Sequence, residues 1–172
     1  MRNLDLLAAQ TAQEIITKTR THMVKEKDGK ESEKGIDAGK VDTLVTKALG
    51  VLQENGVYAA LLYLYSCSAD EQPVARQIRL RLLHLTSEFA LTPPTDRQVG
   101  DKVVVEDAQA SAALQFLTDH ICGNLDRLLL VKQLWEQTLI YARYGAKARE
   151  AEEKAREDAA KARPTEEAKT KP

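Results

Sequence analysis

Between Asn124 and Tyr144 the chain runs without a Gly or Pro and is rich in Leu, Gln, Lys, Arg and Ala, all good helix formers. Its apolar residues do not keep to one face. Leu128, Leu129, Leu130 and Val131 are consecutive and on a helix point round most of the circumference. Trp135, Leu139 and Ala142 continue one side, and Leu134 and Tyr141 another. A helix that is apolar nearly all round belongs inside a bundle, with other helices against several of its faces. Asp126, Arg127, Lys132 and Glu136 interrupt it too often for it to span a bilayer.

The rest of the chain supplies the helices such a centre requires. Leu4, Leu7, Ala8, Thr11, Ile15 and Ile16 recur at helical spacing and predict a first helix from Asn3 to Val24. The charged, glycine-containing run from Lys25 to Gly35 then reads as a loop. Val41, Leu44, Val45, Ala48, Leu49 and Leu52 form the cleanest amphipathic stripe. That helix is expected to stop at Asn55-Gly56, a pair suited to a left-handed C-terminal turn, and a third to run from Val57 to Cys67. Asp70, Glu71 and Pro73 mark the start of a fourth helix that reaches Ala90 and buries Ile78, Leu82, Leu85 and Phe89. Pro93 and Pro94 lie just beyond its end. Val103 to Val105 suits a brief extended segment, but with no evident second strand the sequence predicts no sheet. A fifth helix follows over 107–122, and Gly123-Asn124 separates it from the central one.

After Tyr144 the composition narrows to Ala, Glu, Lys and Arg. This segment suits continued helix, supported by pairs such as Glu150 with Lys154, but offers almost no large apolar side chain to a core. The expectation is therefore an all-α fold: a compact bundle of about six helices over residues 1–149, its core ending near Tyr144, and a charged, partly helical to disordered tail over 150–172.

Chemistry is sparse. His22, His84 and His120 fall on different predicted elements, and no Ser, His and acid combination stands out. There is no glycine-rich phosphate loop with a Lys. His120 and Cys122 offer two metal ligands without the second pair that a closed zinc site needs. Cys67 and Cys122 read as buried thiols in a reducing cytoplasm. The N-terminus lacks an apolar signal core, so the chain reads as soluble and cytoplasmic, with no membrane partner and no cofactor. An enzyme is not expected.

With a net charge of −1, any anion-binding surface must come from local segregation of charge. Lys132, Arg143 and Lys147 project to one side of the central helix, Lys40 and Lys47 share a face of the second, and Arg76 and Arg79 lie on the fourth. Together with Arg127 these are the candidate RNA-binding positions, as basic strips that follow a nucleic-acid backbone. Read as solvation alone, the same charges leave a helical protein–protein adaptor with no nucleic-acid role. Tyr141 and Tyr144 flank Arg143 in positions to stack on bases, although packing against the bundle is the commoner role for a helix tyrosine.

Three segments resemble the small α-helical subunit of type III-B CRISPR–Cas effector complexes, the Cmr small subunit. Asn3 to Ile15 is similar to that family's first helix in its small residues and its Gln and Ala pattern. Leu49 to Leu64 resembles its most recognisable stretch, where a helix ends at Asn-Gly and an apolar helix follows directly. Leu125 to Lys147 resembles its last helix, with a Trp midway and a basic C-terminal side. The resemblance implies a non-catalytic RNA-binding structural subunit of an antiviral interference complex. Several copies would stack along the crRNA–target RNA duplex beside the repeating backbone subunit. Such a subunit, serving every guide, reads backbone and shape rather than sequence.

Overall fold

The computed structural model describes residues 3–25, 31–89, 91–99 and 102–162. Among them are five α-helices, α1 (Leu4–Lys18), α2 (Ala38–Ser66), α3 (Gln72–Leu85), α4 (Ala110–Leu117) and α5 (Leu125–Ala162). A 3-10 turn, Thr86–Phe89, extends α3, and a π turn, Thr118–Cys122, extends α4. Two antiparallel hairpins accompany them: β1 (Thr21–Lys25) with β2 (Glu31–Gly35), and β3 (Asp96–Val99) with β4 (Lys102–Val105). The fold is thus mainly helical, but the expectation of no sheet is corrected. The brief extended segment expected over Val103 to Val105 lies in β4, and pairing with β3 supplies the second strand that the sequence did not announce.

α1 starts where the Asn3 side chain accepts from the backbone N–H of Asp5 and Leu6. It ends at Lys18, short of the expected Val24. The Thr19 hydroxyl donates to the Ile15 carbonyl at 2.8 Å, and the chain bends into β1. Ile36 N–H donates to the Arg20 carbonyl at 2.8 Å, closing the base of the first hairpin. β2 therefore occupies part of the stretch that reads as loop; residues 26–30 of that stretch lie outside the described residues.

The Asn55-Gly56 punctuation marks a kink. Gly56 has φ 85° and ψ −174°, and helix continues on both sides of it, so the expected second and third helices form one bent α2. With ψ extended, Gly56 is not the left-handed turn that the pair suggests. It occupies a region that is essentially closed to residues with a Cβ.

One face of α5 forms the centre of the core. Val131, Leu134, Trp135, Leu139, Ala142 and Ala146 are buried there against α1 and α2. α1 runs in the same direction as α5: Tyr141 donates to the Asp5 carboxylate, and Gly145 lies beside Ile16. A Cβ on Gly145 would fall 3.1 Å from Ile16 Cγ1, so the missing side chain is what lets the two helices approach. α2 runs the other way, placing Gln53 beside Lys132 and Glu136, and Asp42 beside Arg143. The α5 face beyond these contacts is not covered. Leu125, Leu129 and Leu130 are exposed, the first at 69%, which corrects the expectation of burial all round.

α5 continues unbroken to Ala162, so the expected boundary between bundle and tail, at residues 149 and 150, falls inside a helix. The core does not stop near Tyr144. Ala146 is fully buried and Arg149 nearly so. The Arg149 guanidinium donates to the carbonyls of Thr19 and Ile36 and to the Glu153 carboxylate. A long basic side chain here takes a place in the core that an apolar pattern could not reveal. Both cysteines are free thiols; Cys67 is half-buried and Cys122 exposed, so the expectation of two buried thiols is corrected. Among the described residues no helix is long and apolar enough to cross a membrane.

Candidate nucleic-acid interface

The eight basic positions divide by what their charges already meet. Arg79 is a core residue at 5% exposure. Its guanidinium donates to both Asp107 oxygens, at 2.9 and 2.5 Å, to Gln72 Oε1 at 2.9 Å and to the Leu64 carbonyl at 3.3 Å. It also stacks over the Tyr65 ring, 4.6 Å from its centroid. Four of the five N–H donors of this planar fork are used within the protein, tying α3 to the end of α2 and to the segment before α4. Arg76, one turn earlier, is about half exposed and shares Asp107 at 3.4 Å.

On α5 the strip is partly consumed. Arg127 donates to the His120 carbonyl at 2.7 Å, holding the π turn against the helix start. Lys132 reaches the Gln53 carbonyl at 3.4 Å, in the turn just before the α2 kink, where a cation suits the local dipole. Arg143 lies 3.8 Å from Asp42. Its Nε and Asp42 Oδ1 are both buried without a hydrogen-bond partner, so the two charges meet without a direct bond. Lys47 on α2 pairs with Glu71 at 3.1 Å, and Lys47 with Ser68 holds the Glu71 carboxyl below its usual range.

Two of the eight remain. Lys40 and Lys147 are exposed and have no ion-pair partner among the described residues. The antiparallel register that sets Asp42 beside Arg143 and Gly39 beside Glu150 brings them level on α2 and α5. Tyr144, 66% exposed, lies one turn before Lys147, while Tyr141 is half-buried and bonded to Asp5. Of the two tyrosines, Tyr144 is the one with an open face.

Two adjoining clefts, of about 560 and 710 Å³, open beside the first hairpin, the first at the N-terminal end of α2 and the second between the end of α1 and the start of α3. Lys40 lines the first; Arg76 and Arg79 line the second; His22, Ala69 and Pro73 are common to both. Lys34 of β2 lines the first and Lys18 of α1 the second. None of Lys18, His22 and Lys34 stood among the expected RNA-binding positions, because the first two fell in an expected helix and the third in an expected loop. Only the hairpin brings them together. Among the described residues, no group of three or more His, Cys, Asp and Glu is placed to hold a metal ion.

Compared with models of known protein families, with curated proteins and with solved structures, the chain matches none.

Proposed function

We propose that this chain is a non-catalytic RNA-binding structural subunit of a crRNA-guided type III-B (Cmr) ribonucleoprotein, one that stacks along the crRNA–target RNA duplex. The three segments that resemble the Cmr small subunit support the reading. They form α1, the bent α2 and the buried face of α5, the elements around which the core is built.

The observation that carries it is the pair Lys40 and Lys147, two cations left free on neighbouring helices while most other candidate cations are engaged within the protein. A near-neutral protein with few free cations binds a backbone weakly on its own. Several copies held side by side by partner subunits add their contacts through effective concentration.

A helical protein–protein adaptor is the second reading, and the exposed Leu125, Leu129 and Leu130 at the start of α5 favour it. Affinity purification of the tagged chain from its native cell separates the two. Recovery of a guide RNA with other Cmr subunits, including the repeating backbone subunit, supports the first; a protein-only assembly overturns it in favour of the second.

A further inference from the structure

We infer that the two clefts form one channel for a single sugar–phosphate strand, in which Lys18 and Lys34 make phosphate contacts alongside Lys40 and Arg76. This rests on the RNA-binding reading above and places a strand on it. The clefts share His22, Ala69 and Pro73, so they are continuous. Their walls are the first hairpin with the end of α1 on one side, and the N-terminal turns of α2 and α3 on the other.

The charges inside are unequally occupied. Glu33 accepts from the Thr21 hydroxyl, Asp37 accepts from Lys40 N–H at 3.1 Å as the cap of α2, and Glu71 is held by Lys47 and Ser68. Those three carboxylates are satisfied by donors of the protein. Asp70 alone of the lining carboxylates has no partner among the described residues. Against it stand Lys18, Lys34 and Lys40, all exposed and without an ion-pair partner among the described residues, and the half-exposed Arg76. Glu33 and Asp37, bonded to neutral donors, keep their charge; with Glu71 paired to Lys47 and Arg79 to Asp107, the lining holds four cations, Lys18, Lys34, Lys40 and Arg76, against three carboxylates, an excess of one positive charge.

The cations are distributed along the channel: Arg76 and Lys18 line the second cleft, and Lys34 and Lys40 the first. His22 lines both clefts, and its Nδ1 is buried without a hydrogen-bond partner. Among the described residues no Phe, Tyr or Trp lines either cleft, so apart from the His22 ring the channel offers no platform for base stacking. Charge along a track with little stacking suits a backbone read independently of sequence. Lys40 lines the first cleft and is level with Lys147 on α5, so a strand in the channel lies close to the α2–α5 edge.

The test uses the full chain with Lys18→Gln and Lys34→Gln, neither of which contacts the core. Binding of a fluorescent single-stranded oligouridylate is measured against salt concentration. Each phosphate contact contributes about −0.7 to the slope of log affinity on log salt, so losing both should make the slope shallower by about 1.4. The same loss should weaken binding at low salt by about tenfold or more, with an unchanged circular dichroism spectrum. If wild type binds and the double variant binds equally at every salt concentration, the channel is not the strand's path, while the RNA-binding reading stands. Displacement of the oligonucleotide by low concentrations of uridine monophosphate would also overturn a strand channel, in favour of a single-nucleotide pocket. No binding by wild type at low salt overturns both.

Discussion

Arg149 Nη1 donates to the backbone carbonyl of Thr19 at 3.1 Å, joining the C-terminal third of the chain to the end of α1. The same guanidinium holds the Ile36 carbonyl at the exit of the first hairpin, so one side chain fastens three elements. Arg149→Ala should orphan two buried carbonyls and cost about 2–4 kcal/mol, read as a lower urea midpoint with an unchanged slope. A chain ending at Tyr144 should suffer more, since it also loses Ala146, whereas one ending at Glu153 should unfold like the full chain. Equal stability of all three would show that this fastening contributes nothing.

Trp135 is fully buried, and Trp135→Ala should cost about 3–5 kcal/mol. The indole Nε1 has no hydrogen-bond partner, so the side chain contributes through packing and not through its donor. Tryptophan emission of the native protein should be blue-shifted relative to the urea-unfolded chain. An emission maximum unchanged on unfolding would contradict the burial.

Asp107→Ala should be severely destabilising, by about 3–5 kcal/mol, because it leaves the Arg79 guanidinium buried without its counter-charge. The partner change Arg79→Met, which retains an apolar stem, should cost less. The order of the two is checked by thermal unfolding. It also means that loss of RNA binding in an Arg79 variant would report on folding and not on an interface.

Gly56→Ala isolates backbone strain, because a Cβ there meets nothing within 4 Å. With φ at 85° and ψ at −174°, the cost should be about 1–3 kcal/mol. Gly56→Asn should give no relief, since Asn favours the left-handed helical region and not this one. A neutral Gly56→Ala would show that α2 can straighten without penalty.

Burial, followed by the Cys67 and Glu71 charges, pushes the Tyr63 hydroxyl up to about 12 from its ordinary 10.0. A raised folded value means full stability below 10.0. Above it the unfolded chain loses the proton first, so stability falls as pH rises towards about 12. Burial raises Tyr65 in the same direction, so the alkaline decline is shared. Tyr63→Phe should make it shallower, as seen by urea midpoints across that range; an unchanged pH dependence would remove Tyr63 from the account.

The parts of the fold legible in the sequence are those whose burial follows a helical period. The stripe from Val41 to Leu52 and the face carrying Trp135 and Leu139 are buried as their spacing requires. The first hairpin was not legible, because Thr-His-Met-Val-Lys and Glu-Ser-Glu-Lys-Gly lack the apolar alternation of a half-buried strand, whereas of the second only the extended Val103 to Val105 was. Charge was legible only as position. Arg79 and Arg76 look equivalent on one helix, yet Asp107, distant in sequence, turns the first into a core residue and leaves the second half exposed. Lys34 comes beside His22 through strand pairing, which no spacing within either segment encodes.

The free cations give the sharpest functional expectation. Lys40 and Lys147 are exposed and unpaired among the described residues, so neutralising both should change stability little. Arg143, by contrast, borders Asp42, whose half-buried carboxylate its removal would leave uncompensated. Lys40→Gln with Lys147→Gln should therefore keep the wild-type melting temperature while weakening RNA retention in the assembled guide complex, irrespective of target sequence. On a single strand the salt slope should flatten by about 1.4 for two lost contacts. The measurement is RNA release from the purified complex over a salt series, with Arg143→Gln alongside, for which a lower melting temperature is expected. If the double variant holds RNA as wild type does at every salt concentration, the α2–α5 edge is not in contact with the backbone.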